Sequence, residues 1–167
     1  QHLDLSELSM EEVLMSTIGD IPDFFYRLRI PSSMLPYFCI EGVTPAEFAH
    51  YMKEKGRHFS YPTGHVALSI CVLMMGWSWA PYLAHMTLQH VVELAPSLPP
   101  SRRWMDGVPL VQPAPGQSSY WLFIDDYGVG AMEEPGAGAT LSDSGEAHSV
   151  RREVEGVIRA AALEVHK

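Results

Sequence analysis

The chain is predicted to fold as an α+β domain, an antiparallel sheet covered on one face by helices. Three observations carry that prediction. First, two apolar, β-prone runs meet at a pair of carboxylates. Tyr120, Trp121, Leu122, Phe123 and Ile124 lead into Asp125 and Asp126, and Tyr127, Gly128, Val129, Gly130 and Ala131 lead away. Two such runs joined at a polar tip read as a β-hairpin. Second, helix signatures recur: capping boxes at Ser9 with Glu12 and Thr44 with Glu47, and apolar residues at helical spacing after Ser78 and after Ala147. Third, 47% of the 167 residues are hydrophobic, which supports a core in one domain's worth of chain and argues against disorder.

Taken in order, the Ser9 capping box predicts a short helix to about residue 17, ended by Gly19, with Asp20 on a strand beyond it. Pro22 and Asp23 signal a turn before Phe24, Phe25 and Tyr26. Arg27 and Arg29 alternate with Leu28 and Ile30, as on a half-exposed strand, and residues 37–40 read as another strand. Thr44 with Glu47, and Pro45 at the first helical position, predict a helix to Lys55 closed by Gly56. Residues 65–74 form a long apolar run, expected as a buried strand broken at Gly76. Ser78 is a candidate cap for a helix over 79–94, with Leu83, Met86, Leu88, Val91 and Val92 as its core face. Residues 95–119 hold six prolines and are expected as a flexible surface excursion, with added strand around 108–111. After the hairpin, 133–145 is rich in Gly, Pro and Ser and reads as a flexible loop. From about Ala147, a helix is predicted with Val150, Val154, Val157, Ile158 and Ala161 inward.

No apolar run approaches the ~18 residues of a membrane span. Gln1 is read as a cut or fragment boundary. Cys39 and Cys71 lie far apart inside apolar runs and are expected as buried free thiols, which points to a reducing, intracellular compartment. The histidines show no zinc-binding spacing, and no phosphate loop or nucleophile elbow occurs. The net charge of −9 opposes a broad nucleic-acid-binding face.

Adjacent carboxylates between bulky apolar flanks lose hydration and repel each other, so Asp125 and Asp126 call for a cation. A divalent metal is the simplest one; a solvated turn is the plain alternative. Two further stretches bear on the choice. Ile18, Gly19 and Asp20 are followed by Asp23, Phe24 and Phe25, then by Arg27, Leu28, Arg29, Ile30 and Pro31, with Tyr37, Phe38, Cys39 and Ile40 beyond. Leu73, Met74, Met75, Gly76, Trp77, Ser78, Trp79, Ala80 and Pro81 lie between this stretch and the hairpin. In this order the three stretches resemble the palm motifs of retroelement reverse transcriptases: D-x-x-D-[AFC]-[FY], then [LP]-x-G-[FW]-x-x-[AS]-P, then the x-x-D-D hairpin. The resemblance runs from about residue 8 to the end of the chain.

That resemblance implies a polymerase palm with a ferredoxin-like core, and an RNA-directed DNA polymerase, a nucleotidyltransferase. Asp20, Asp125 and Asp126 would hold two Mg²⁺ ions, with Mn²⁺ as the other candidate, because hard oxygen ligands suit both. Asp23 and the backbone of its neighbour Phe24 would lie beside the triphosphate; a cap at a helix start is the alternative for Asp23. Phe25 would be the aromatic steric gate against a 2′-hydroxyl, or a plain core ring. Met75 and Gly76 would meet the incoming nucleotide, Met75 standing where many members carry Gln. Lys167 falls where the family places a general acid for the leaving pyrophosphate, or is a solvated lysine. The partners implied are an RNA or DNA primer–template and deoxynucleoside triphosphates, with fingers, thumb and RNase H segments outside this chain. On this basis residues 1–167 are a palm region with incomplete fingers and no thumb, inactive alone and weak in nucleic-acid binding. Two other readings stand beside it: a degenerate or domesticated copy that binds partners without catalysis, and an RNA-directed RNA polymerase palm, which would carry a smaller or polar residue at position 25.

Overall fold

The computed structural model describes residues 13–60, 67–111, 113–114, 116–133 and 145–165. The predicted capping box at Ser9 and the candidate general acid Lys167 lie outside them. The chain forms two compact units, one of Gln1–Phe24 with Pro81–Lys167 and one of Phe25–Ala80.

The first unit is built on a three-stranded antiparallel sheet: β1 (Val13–Asp20), β2 (Ser118–Phe123) and β3 (Asp126–Glu133), in the order β1-β3-β2. The hairpin predicted around Asp125 is β2 and β3. All eight residues of β1 pair with β3, from Val13 opposite Glu133 to Asp20 opposite Asp126. The helix expected up to residue 17 is therefore a strand over its described part. Exposed Ser16, Ile18 and Asp20 alternate with buried Thr17 and Gly19, the period of a sheet with one open face. Pairing with β3 overrides the local helix signal. Gly19 does not end a helix. It pairs with Tyr127, whose ring lies across it and occupies the place a Cβ would take.

The buried face of the sheet carries Thr17, Tyr120, Tyr127, Val129 and Ala131. It is served by α4 (Glu146–Ala160), which buries Ala147, Val150, Val154 and Ile158 on one stripe. Each of the larger side chains stabilises by about 1.5–3 kcal/mol on full burial. Val157 is only half-buried and Ala161 is exposed, so the inward set is narrower than the sequence suggested. The charged residue of that stripe, Glu155, is buried between Arg151 and Arg159, one helical turn before and after it, at 2.9 Å each. The residues after α4, through Val165, form no regular strand.

The predicted helix after Ser78 is α3 (Ala80–Val92). Ala84, Leu88, Val91 and Val92 are buried, whereas Leu83 and Met86 are exposed. Those two lie off the 84-88-91 stripe, where a 3.6-residue period puts them toward solvent. The proline-rich loop that follows is more than a surface excursion. Ala95 and Leu98 are buried, and Ser97 donates from both its backbone N–H and its hydroxyl to Glu153 of α4, at 3.0 and 2.6 Å. The added strand contact falls at Arg103, which pairs in parallel with Tyr120, not around 108–111. Trp104 donates its backbone N–H to the Tyr120 carbonyl at 2.7 Å and lays its ring over Gly130.

In the second unit, α2 (Pro45–Glu54) begins at the predicted capping box. The Glu47 N–H donates to Thr44 Oγ1 at 3.3 Å, and the Thr44 N–H donates to Glu47 Oε2 at 2.8 Å. Lys55 caps the far end, and Gly56 follows with φ 68°. The three expected strands of this unit are weaker than predicted. Phe24–Arg27 is a turn of helix, α1, at the boundary of the two units, and Ser32–Phe38 is 3₁₀. Beyond them the chain runs extended and meets the described part of the 65–74 run through single bridges, Arg29 with Val72 and Cys39 with Ser69. Backbone bonds such as Leu73 N–H to the Leu28 carbonyl at 2.7 Å hold these segments together. Leu73 is buried, but most of the run is half-buried or exposed. Local propensity produced an extended backbone here; burial requires a covering layer that propensity does not encode. Cys39 and Cys71 are free but exposed, a correction to their expected burial.

Candidate functional site

The hairpin tip is a two-residue connection. β2 ends at Phe123, Ile124 and Asp125 make the turn, and Asp126 opens β3 opposite both Phe123 and Asp20. Ile124 has φ 58°, a backbone state that costs a β-branched residue about 1–3 kcal/mol. Tight hairpin turns demand positive φ at this position and usually meet it with Gly, Asn or Asp. The turn is tied to β1 by the Ile21 N–H, which donates to the Asp125 carbonyl at 3.2 Å. Asp20, Asp125 and Asp126, remote in sequence, thus converge at one end of the sheet.

Their electrostatics follow from that convergence. The Asp126 carboxyl is held above the ordinary aspartate range, first by loss of water and then by the charges of Asp125 and Asp20. Like charges directly opposite across a strand pair are destabilising. Asp20 is exposed and the other two are half-buried, so the cluster opens to solvent. The adjoining sheet face is apolar and uncovered at its end, with Ile18 60% and Phe123 64% exposed. Among the described residues no group of three or more His, Cys, Asp or Glu is arranged to hold a metal ion. Hard carboxylate oxygens are the donors Mg²⁺ prefers, and that ion keeps several waters and substrate oxygens in its shell, so it does not require a closed cage of protein ligands.

The other predicted residues are distributed as follows. Asp23 and Phe24 belong to the same unit as the three carboxylates; Phe25, Met75 and Gly76 belong to the second. Asp23 is exposed, with φ 54°, a left-handed backbone unlike the extended geometry of a helix cap. Phe24 is buried in the core and Phe25 is half-buried. Because Phe24, Phe25 and Tyr26 lie on a helical turn, they do not alternate as strand residues would. Met75 is 62% exposed and its sulfur accepts from the Tyr26 hydroxyl at 3.7 Å. Gly76 has φ 96° with open space where a Cβ would be, so its backbone is approachable.

One residue at the tip escaped the sequence. The backbone N–H of Ile124 donates to Nδ1 of His85, on α3, at 3.3 Å. His85 follows buried Ala84 by one residue, at the edge of the apolar stripe, and that edge position is the only signal the sequence offers for it.

No protein-family model matches the chain, and no curated protein matches it. What the geometry defines is an α+β protein with a small three-stranded antiparallel sheet, several helices, and a carboxylate cluster at one sheet end. Among the described residues, no helix is long and apolar enough to cross a membrane.

Proposed function

We propose that this chain is the palm region of a retroelement reverse transcriptase, which extends a primer on an RNA template. One observation carries the reading: Asp20 stands in register opposite Asp126, with Asp125 in the turn between β2 and β3. The order of the motifs along the chain supports it independently.

In this reading Asp20, Asp125 and Asp126 are the residues that would hold divalent cations. Such ions, when bound, acidify the primer hydroxyl and offset charge on the leaving phosphates. The chain's own residues do the rest. The open sheet face beside Ile18 and Phe123 gives the primer end an apolar bed, and the crowding of three carboxylates favours whatever cation neutralises them. The aromatic residue at position 25 argues against an RNA-directed RNA polymerase, which would carry a smaller or polar residue there. Met75 cannot make the hydrogen bonds of the usual glutamine, so its contact with a nucleotide would be apolar only.

A second reading is a non-catalytic binding protein of the same descent, which Met75 in place of the usual glutamine and the net charge of −9 favour. Primer extension by the parent polypeptide, with Mg²⁺ and an RNA template, separates the two. The polymerase reading expects extension that falls at least about a thousandfold in Asp125→Asn, the scale on which charge-stabilising groups act, with the circular-dichroism spectrum unchanged. No extension from a folded wild type leaves the binding-protein reading in place, and extension that survives Asp125→Asn removes Asp125 from the cation-holding set.

A further inference from the structure

We infer that His85 is a positioning residue that holds the carboxylate-bearing turn in its strained conformation through the Ile124 peptide. The inference rests on the proposed role of Asp20, Asp125 and Asp126 as the cation-holding set.

Ile124 is the wrong residue for its backbone. At φ 58° its branched Cβ crowds the peptide, and such a state persists only where the surroundings over-determine it. Beyond the β2–β3 ladder that closes it at Phe123 and Asp126, two ties hold the turn. One is the Ile21 N–H on the Asp125 carbonyl. The other is His85, whose Nδ1 accepts the Ile124 N–H at 3.3 Å. The second tie acts on the strained residue itself. An N–H left without an acceptor at a half-buried tip is unfavourable, so the imidazole both satisfies the donor and fixes the direction of the peptide that precedes Asp125.

The geometry assigns the ring's state as well. Nδ1 must be the unprotonated nitrogen to accept, which leaves the proton of a neutral ring on Nε2. His85 can hold one place because its neighbours are packed: Ala84 and Leu88, before and after it on α3, are fully buried. A rigid helix thereby reaches across to the hairpin and sets where the carboxylates of Asp125 and Asp126 stand. Small residues at such turns need no helper; the isoleucine does.

The test uses the 167-residue chain and two readouts, amide hydrogen exchange at Ile124 and Mn²⁺ affinity from paramagnetic relaxation. His85→Leu removes the acceptor and keeps most of the volume. His85→Asn restores an acceptor near the Nδ1 position. Ile124→Gly relieves the backbone strain. The expected result is Ile124 exchange about tenfold faster in His85→Leu and Mn²⁺ affinity lowered about 3–10-fold, the scale of one lost hydrogen bond. The melting temperature should move little. His85→Asn should recover most of both, and in the Ile124→Gly background His85→Leu should change Mn²⁺ affinity less than twofold, a coupling that a generally loosened fold would not show. Unchanged exchange and affinity in His85→Leu would overturn the inference, as would an equal affinity loss with and without Ile124→Gly. If the wild type binds no Mn²⁺, the cation-holding reading falls, and the inference falls with it as a statement about a site. The exchange result still decides whether His85 holds the turn.

Discussion

Glycine serves opposite ends in the sheet and in the 25–80 unit. In the sheet, Gly19, Gly128 and Gly130 lie under aromatic rings, those of Tyr127, Trp121 and Trp104, and each ring occupies the place of a missing side chain. In the 25–80 unit, Gly42, Gly56 and Gly76 have open space around them and positive φ. The first set permits close approach and the second permits a turn. The sheet is organised around packing, with rings laid over backbone on both of its faces. The second unit is organised around chain reversals joined by single bridges.

The largest effect should come from breaking that packing. Gly128→Val puts a branched side chain where the Trp121 indole lies, on the central strand. Overpacking of this kind costs about 3 kcal/mol. Gly56→Ala, where only the backbone state resists, should cost about 1 kcal/mol. Urea denaturation of both variants measures the difference. Equal losses would mean the sheet rings are movable covers and not part of the core.

Next in size is the charged stripe of α4. Glu155 is buried between Arg151 and Arg159, and the three share one helix face with Val154 and Ile158 near them. Glu155→Ala strands two guanidiniums, one of them largely buried. The expected loss is about 2 kcal/mol, below that of a wholly buried pair because Arg159 is half in water. Glu155→Ala combined with Arg151→Met should recover part of it. A double variant as unstable as the single one would show that Glu155 acts by volume, not charge.

The distribution of order explains what could be read in advance. The Thr44 capping box was legible because its chemistry is local: side chain and backbone partners lie three residues apart, and both bonds are present. The hairpin at Asp125 was legible for the same reason, as two β-prone runs met at a short turn. β1 was not. Its helix signal was equally local, but its structure depends on eight pairings with a strand more than a hundred residues away. His85 was illegible too, because the group it serves is a peptide N–H, which leaves no trace in residue types. Asp20 and the Asp125–Asp126 pair lie at one end of one sheet. Phe25, Met75 and Gly76 belong to the other unit, and no local pattern in the sequence sets their arrangement.

A smaller effect tests the functional role of the second unit. If Phe25 is the sugar gate, Phe25→Val should raise ribonucleotide use relative to deoxyribonucleotide use by at least about tenfold in kcat/KM, or about 1.4 kcal/mol of discrimination. Deoxynucleotide use should change less. Tyr26→Phe is the control, since it removes only the hydroxyl that meets Met75. A ratio that does not move in Phe25→Val would return Phe25 to an ordinary packing role.

The smallest effect separates the units by sign. Asp126 is held above the usual aspartate pKa of 3.8 by desolvation and by Asp125 and Asp20. In the window just above 3.8, the folded state binds more protons at this site than the unfolded state does. Unfolding free energy therefore falls as pH rises through that window. Glu47 does the reverse. The Thr44 backbone N–H, and then the Thr44 hydroxyl, hold its carboxyl below the usual glutamate value of 4.5. Its contribution is present above that value and is lost as pH falls through the lowered pKa. Stability measured by urea at closely spaced acidic pH values should thus lose a descending component in Asp126→Asn and an ascending one in Glu47→Gln. Mg²⁺ should oppose the Asp126 component, because a ligand that prefers the ionised carboxylates stabilises the folded state as pH rises. If both variants shift the curve in the same direction, the crowding at the hairpin tip is not the source of the Asp126 perturbation. Like charge then plays no part in raising the Asp126 carboxyl.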